Sequence, residues 1–184
     1  TSMEADSLLM QVHNSPLGIL TMATLAAGRR TYIAALPVDR DATPDERTEA
    51  IRGASATLMP RLDRLVAVRS VGQAVLASLG QSLGLLMFLV PEWVRANRTR
   101  LLEPTTGASP LSVFWTTYLL TGQLNVSVLT EFRSEYLRAV DHVDILPHSG
   151  AWSVQGHLAE HLMIAVLWGE LDLQDADGIL ARAW

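Results

Sequence analysis

The sequence predicts an all-α fold of eight to ten short helices in antiparallel pairs. Three observations favour this fold class: apolar residues recur every three or four positions, prolines and capping residues precede these runs, and glycines follow them. No run of alternating β-branched residues predicts a strand. The three Ser/Thr-Pro helix starts lie 28 and then 66 residues apart, so no named repeat is indicated. An irregular bundle and a degenerate helical-repeat array both remain open.

The first two helices are defined by proline starts. Ser15-Pro16 predicts a helix from Leu17 to Ala27 that Gly28 ends, and Arg29 to Asp41 then reads as a linker. Thr43-Pro44-Asp45-Glu46 begins the second helix, because a hydroxyl cap and two acids suit the positive end of the helix dipole. Its expected buried face is Ala50, Ile51, Ala54, Leu58, Leu62 and Leu65, with Pro60 expected to break or kink the run.

The uncharged stretch between Arg69 and Pro91 has the length of a membrane span, which needs roughly 20 apolar residues. Glycines, glutamines and serines dilute it, and Gly80 divides it into two pieces. We therefore predict two buried helices that meet at Gly80, and no membrane span. The motif Gly80-Gln81-Ser82-Leu83-Gly84 lacks the lysine of a phosphate loop and is interpreted as helix packing.

The second half of the chain is divided by the same signals. One predicted helix runs from Pro91-Glu92-Trp93 through Leu102, and the next begins at Ser109-Pro110 and contains Val113, Phe114, Tyr118 and Leu119. A third begins at Asn125 and presents Val128, Leu129, Phe132, Tyr136, Leu137 and Val140. A fourth runs from Trp152 to Trp168 with Gly169 as its stop, and a fifth covers Asp177 to Trp184. In the fourth of these helices, Leu158, Leu162, Ala165 and Val166 should face the core.

Composition bounds the function. The 184 residues suffice for one buried core, so residues 1–184 are expected to form a single helical domain, a fragment of a larger protein. A net charge of −5 argues against nucleic acid as a partner. All 14 basic residues are arginine and there is no cysteine, which excludes thiol nucleophiles, Schiff-base lysines and the phosphate-loop lysine. No basic and apolar leader opens the chain, so we expect a cytoplasmic protein.

The sharpest chemical motif is His157-Leu158-Ala159-Glu160-His161, the order H-x-x-E-H of inverted zinc proteases. Two histidines one helical turn apart could bind a metal, with Glu160 near a bound water. Such a site needs a third ligand, and the available carboxylates are Asp172, Asp175 and Asp177. We favour structural or exposed histidines, and we expect no metal, no cofactor and no catalytic residue.

Other polar and aromatic groups also have ordinary interpretations. A triad of Ser149, His157 and Asp141 lacks a nucleophile elbow, and His148 belongs to the turn Leu146 to Gly150. The arginines 95, 98 and 100, with Arg29-Arg30, could meet an acidic partner, but a solvated helix face explains them better. The tryptophans divide into an expected core set of Trp93, Trp115 and Trp168, and a set expected to face a neighbouring domain, Trp152 and Trp184.

Scattered signatures follow one another along most of the chain. They are Asn14 to Gly18, Pro91-Glu92-Trp93 followed by Arg100-Leu101-Leu102, Trp115 with Tyr118-Leu119, Arg133 to Leu137, and Trp152 followed by His157 and His161. In this order the chain resembles the uncharacterised helical C-terminal domain of large bacterial antiphage defence proteins with a sirtuin-like or NTPase module upstream. The resemblance carries no catalytic residues. It implies a sensor or scaffold region that contacts a phage component or holds an oligomer.

Three classes of function compete. The first is a non-catalytic interaction, sensor or scaffold domain whose partner is protein, either neighbouring domains of the same chain or another molecule, with an oligomer left open. The second is a metal-dependent hydrolase that uses His157, Glu160 and His161. The third is a membrane-associated helical domain that uses Ser70 to Val90. Abundant apolar helix faces and few polar constellations favour the first.

Overall fold

The computed structural model describes residues 10, 12–38, 40–67, 72–103, 111–146, 148–149 and 152–172. The fold is all-α, which confirms the predicted class. The helices of these residues are α1 (Pro16–Ala34), α2 (Pro44–Val66), α3 (Gln73–Gln81), α4 (Leu83–Leu89), α5 (Pro91–Leu101), α6 (Val113–Thr121), α7 (Val126–Glu131), α8 (Arg133–Asp141), a 3-10 turn (Val143–Ile145) and α9 (Val154–Leu167). The two-residue strands β1 (His148–Ser149) and β2 (Trp152–Ser153) pair antiparallel before α9.

Helix α1 begins where the sequence predicts but ends later. Ser15 caps it by accepting a hydrogen bond from the Gly18 backbone at 3.4 Å. The prediction that Gly28 ends the helix is wrong, and so is the linker from Arg29, because α1 continues to Ala34. Gly28 instead lets α2 approach closely: a Cβ atom there would lie 3.1 Å from a methyl group of Leu58. The glycine serves helix packing, and its φ is not positive.

Helix α2 has the predicted capping box. Glu46 N–H donates to Thr43 Oγ1 at 3.3 Å, and Thr43 N–H donates to the Glu46 carboxylate at 2.9 Å. Arg40 also donates to this carboxylate at 2.9 Å, and together these bonds lower the pKa of Glu46 to about 2. The break expected at Pro60 does not occur, because the helix continues to Val66 with Leu58 and Leu62 fully buried. Pro60 has no backbone N–H to donate to the preceding turn, and burial of the apolar face keeps the helix intact without that hydrogen bond.

The apolar stretch after Gly72 forms two buried helices, as predicted, but they meet at Ser82 and not at Gly80. Gly80 lies inside α3, where a Cβ atom would overlap the Phe114 carbonyl oxygen and lie 3.0 Å from its carbon. Because Gly80 has no side chain, α3 packs directly against the backbone of α6. Among the described residues, no helix is both long enough and apolar enough to cross a membrane.

Helix α6 forms the centre of the core, and every residue from Val113 to Leu120 is buried. Ser112 caps it by accepting from Trp115 N–H at 3.1 Å, while the predicted start at Ser109-Pro110 lies outside the described residues. Helix α3 packs on α6 and on α1, although α4 and α5 lie between α3 and α6 in the chain. In a helical array each unit contacts its sequence neighbours. The fold is therefore a bundle.

The long helix predicted after Asn125 is two helices. Asn125 caps α7 as expected, since its side chain accepts from Ser127 N–H at 2.9 Å. Phe132, fully buried with φ −109° and ψ 25°, ends α7 and leads into α8. The turn lets Phe132 stack on Trp115 at 5.6 Å while Tyr136 packs against the same indole from α8. Core packing therefore overrides helix continuity here.

Helix α9 starts at Val154, two residues after the predicted Trp152, because Trp152 and Ser153 pair with β1. Its predicted stop is confirmed: Gly169 has φ +74°, and Glu170 N–H and Gly169 N–H donate to the Ala165 and Val166 carbonyls. This is a Schellman motif. The expected last helix, Asp177 to Trp184, lies outside the described residues.

Candidate functional site

The H-x-x-E-H motif lies at a cleft of about 380 Å³ between α9 and the loop that follows α6. One side is formed by residues 120–124, which are the last two residues of α6 and the start of the loop after it. The α9 side is formed by His157, Glu160, His161, Ile164 and Trp168. Helical spacing places these five residues along one face of α9, and Gly122, the C-cap of α6, brings the loop against it.

The two histidines of the motif have different environments. His157 is partly exposed, and its Nδ1 lies 3.4 Å from the Glu160 carboxylate, itself on the exposed side of the helix. His161 is buried, with 3% of its surface exposed. The motif therefore splits into a surface pair and a core histidine.

Both ring nitrogens of His161 are hydrogen-bonded. Nε2 lies 2.9 Å from the Gly122 carbonyl oxygen, and Nδ1 lies 3.0 Å from the Tyr136 hydroxyl. A carbonyl oxygen can only accept, so Nε2 carries the proton. In the neutral ring Nδ1 is then the acceptor, and the Tyr136 hydroxyl must donate to it.

The chain of hydrogen bonds continues to a second buried tyrosine. The Tyr118 hydroxyl lies 3.3 Å from the Tyr136 hydroxyl and 3.3 Å from the Gln123 carbonyl oxygen. Because the Tyr136 proton points to His161 and a carbonyl oxygen can only accept, Tyr118 shares its single hydroxyl proton between these two acceptors. We call Tyr118, Tyr136 and His161 the tyrosine–histidine relay. It joins α6, α8 and α9 to both ends of the loop Gly122 to Gln123.

Burial fixes the charge state of this relay. Desolvation raises the pKa of Tyr118 to about 12 and raises the pKa of Tyr136 well above its ordinary value. Desolvation also lowers the pKa of His161, and the nearby His157 lowers it further, while the bond to Gly122 and the charge of Glu160 oppose the shift. All three groups are therefore neutral around pH 7.

The relay is held in an aromatic core. The Trp115 ring lies 5.0 Å from Tyr136 in a T-shaped arrangement and 5.1 Å from Tyr118. The Trp115 indole N–H is buried and has no hydrogen-bond partner in the described part of the chain. Trp93 and Trp115 are core residues as predicted. Trp168 is not, because it caps the C-terminus of α9 with 57% of its surface exposed.

The geometry is unfavourable for the zinc interpretation. A metal ligand needs a free nitrogen lone pair, whereas the His161 nitrogens face a carbonyl oxygen and a hydroxyl donor. Binding zinc would require breaking the bond to Tyr136 or to Gly122. Within the described ranges no group of three or more histidine, aspartate or glutamate residues converges. Of the carboxylates considered as a third ligand, Asp175 and Asp177 lie outside those ranges.

The residues of the candidate triad, Ser149, His157 and Asp141, lie on three different elements. Asp141 is an exposed residue at the end of α8, His157 faces Glu160 on α9, and Ser149 belongs to β1. The structure brings together His157 with Glu160, and His161 with the two tyrosines, which the sequence interpretation did not include. The available signal was that Tyr118 and Tyr136 occupy apolar helix faces, where a buried hydroxyl needs a partner.

The arginine cluster of α5 is engaged within the fold. Arg95 Nε donates to the Glu131 carboxylate at 2.8 Å, and Arg98 donates to the Ser134 hydroxyl at 2.8 Å. The Arg98 guanidinium also lies over the Phe132 ring, 5.1 Å from its centroid. These contacts tie α5 to α7 and α8. The expected solvated face is thus partly a packing surface.

Helix α9 carries an exposed apolar face beside the cleft. Met163, Leu167 and Trp168 are 60%, 76% and 57% exposed. We call these three residues the α9 apolar face. The sequence interpretation placed Trp168 in the core and did not single out the other two.

Comparison with known proteins gives no family assignment: no family model, no curated protein and no solved structure matches the chain.

Proposed function

We propose that the chain is a non-catalytic protein-interaction domain that acts as a sensor or scaffold within a larger bacterial protein. The α9 apolar face carries this proposal. Three large apolar side chains in six residues, all more than half exposed, are costly to leave in water and are typical of a surface that a partner covers. Trp and Met are both enriched at the centres of protein interfaces.

The surroundings of this face suit protein recognition. The cleft beside it offers His157 and Glu160 as polar groups at the edge of an apolar surface. An apolar centre with a polar rim is the usual composition of an interface. The Schellman motif at Gly169 and the buried Leu158, Leu162 and Ala165 fix α9 against the bundle, so the face is preorganised.

The chemistry of the H-x-x-E-H motif supports a non-catalytic role. The buried histidine of the motif, His161, is neutral and hydrogen-bonded at both nitrogens to groups of the fold. We further propose the setting implied by the resemblance, a helical region of an antiphage defence protein. In that setting the α9 apolar face would contact a phage component or a neighbouring domain.

Site-specific crosslinking in cells tests the proposal. A photo-crosslinking residue at Leu167 should give one dominant protein adduct, identified by mass spectrometry, and Met163→Glu should remove that adduct because a charge disrupts an apolar interface. The matched control is the same crosslinker at Ala56, an exposed position on α2. Equal, diffuse adducts at both positions would contradict the proposal. So would adducts of lipid alone, since they would favour a membrane-associated domain.

A further inference from the structure

A second surface, built from other helices, has a different chemistry. An open groove of about 460 Å³ lies between α1 and α2 and is closed at one end by the start of α3. Its apolar lining includes Leu17 and Leu20 of α1, Leu65 of α2 and Val75 of α3. Leu17 and Leu20 are 51% and 53% exposed, so the groove is not filled by the described residues.

The charged residues of this groove are both arginines. Arg61 and Arg64 lie one turn apart on α2 and are exposed. Neither has an ion pair or hydrogen bond within the described ranges. Asp63, which lies between them in sequence, accepts instead from the Trp93 indole at 2.8 Å. The groove therefore has two arginines without an ion pair in the described ranges beside an apolar floor, on a chain whose net charge is −5.

We propose that this groove binds an acidic amphipathic helix of a protein partner. Two guanidinium groups one turn apart match two carboxylates at positions i and i+3 or i+4 of a helix, which have a similar spacing. The apolar residues of the same helix cover Leu17, Leu20, Leu65 and Val75. A single-chain fatty carboxylate carries one charge and would leave one arginine unmatched. The inference rests on the proposed function, because it specifies the chemistry of one protein partner.

Selection from a library of displayed helical peptides tests the groove on the purified chain. Enriched peptides should place Asp or Glu at i and i+3 or i+4 beside Leu, Ile or Met. Arg61→Gln with Arg64→Gln should weaken the synthesised winners by about tenfold in fluorescence anisotropy, the loss expected for two exposed ion pairs. The matched control is Arg47→Gln with Arg52→Gln, also exposed on α2, which should leave affinity unchanged. Unchanged melting temperatures verify that both variants fold.

Three results would overturn the groove proposal: enrichment of basic or uncharged peptides, no enrichment, or winners insensitive to the Arg61 and Arg64 substitutions. Dodecanoate serves as the second probe. If it binds with the same arginine dependence while no peptide is enriched, the groove is an amphiphile site and the proposal is wrong. Met163→Glu should leave peptide affinity unchanged. If no acidic peptide binds the groove but the crosslinked adduct at Leu167 still forms, this inference is wrong and the proposed function is not contradicted.

Discussion

At the scale of single residues, His161 changes most between the sequence interpretation and the structure. The motif suggested a metal ligand or, as we favoured, a structural or exposed histidine, and an exposed imidazole would matter little for stability. The structure buries it and gives it two hydrogen bonds. Its role is to give hydrogen-bond partners to the buried Tyr136 hydroxyl and to the Gly122 carbonyl at the edge of the core.

Replacing His161 should therefore destabilise the fold. His161→Ala leaves a buried hydroxyl and a carbonyl without their partner and opens a cavity, so the free energy of unfolding should fall by roughly 2–4 kcal/mol. Urea denaturation followed by circular dichroism measures this loss. His157→Ala is the matched control on the same helix and should cost less than about 1 kcal/mol, because His157 is partly exposed. Equal midpoints for the two variants would contradict the relay.

At the scale of helices, Gly28 and Gly80 act by packing and not by ending a helix. The Leu58 side chain packs against Gly28, and the Phe114 backbone packs against Gly80, whereas Gly53 has open space around it. Gly169, with its positive φ, ends α9. Gly28, Gly80 and Gly169 all follow apolar residues in the sequence, so this pattern cannot separate the two roles.

Two glycine substitutions test this distinction. Gly80→Ala should destabilise by roughly 1–3 kcal/mol, because the added methyl group overlaps the Phe114 carbonyl and α3 must move away from α6. Gly53→Ala, inside α2 and free of neighbours, should stabilise by about 0.4–1 kcal/mol through helix propensity and a less flexible unfolded chain. Thermal melts of the two variants should shift in opposite directions. A stabilised Gly80→Ala protein would rule out the close contact of α3 with α6.

At the scale of the whole molecule, the relay joins α6, α8 and α9, so its titration acts on global stability. The folded state prefers neutral His161, whose pKa is below the ordinary value of 6.5. Below that pH the unfolded chain binds more protons than the folded chain at this site. The folded state also prefers neutral Tyr118 and Tyr136, whose pKa values are above the ordinary value of 10.0. Above that pH the unfolded chain loses protons first.

We therefore expect a stability maximum between about pH 6.5 and pH 10, with losses on both sides. Urea midpoints across this range measure it. The His161→Gln side chain keeps a donor and an acceptor but does not titrate. The urea midpoint of this variant should therefore fall less between pH 6.5 and pH 5 than the midpoint of the unmodified protein. His157 and Glu160 remain in that variant, and the Glu46 carboxylate, with its pKa near 2, acts only at lower pH. If the urea midpoint fell equally with pH in both proteins, His161 would not be the group that lowers stability in acid.

The features that could be predicted from the sequence are those that local interactions decide. The all-α class, the capping box of Thr43 with Glu46, the cap at Asn125 and the stop at Gly169 all depend on residues within one turn of each other. Their physics is therefore contained in a short stretch of sequence. The buried faces of α2 and α9 follow from the helical period in the same way.

The features that could not be predicted depend on neighbours that are distant in the sequence. Continuation of α1 through Gly28 depends on Leu58, the turn at Phe132 depends on Trp115, and exposure of Trp168 depends on what packs beside the end of α9. The tyrosine–histidine relay spans 43 residues from Tyr118 to His161, and each hydrogen bond in it joins different elements. A local pattern carries no record of such partners, because burial and hydrogen bonding are properties of the packed chain.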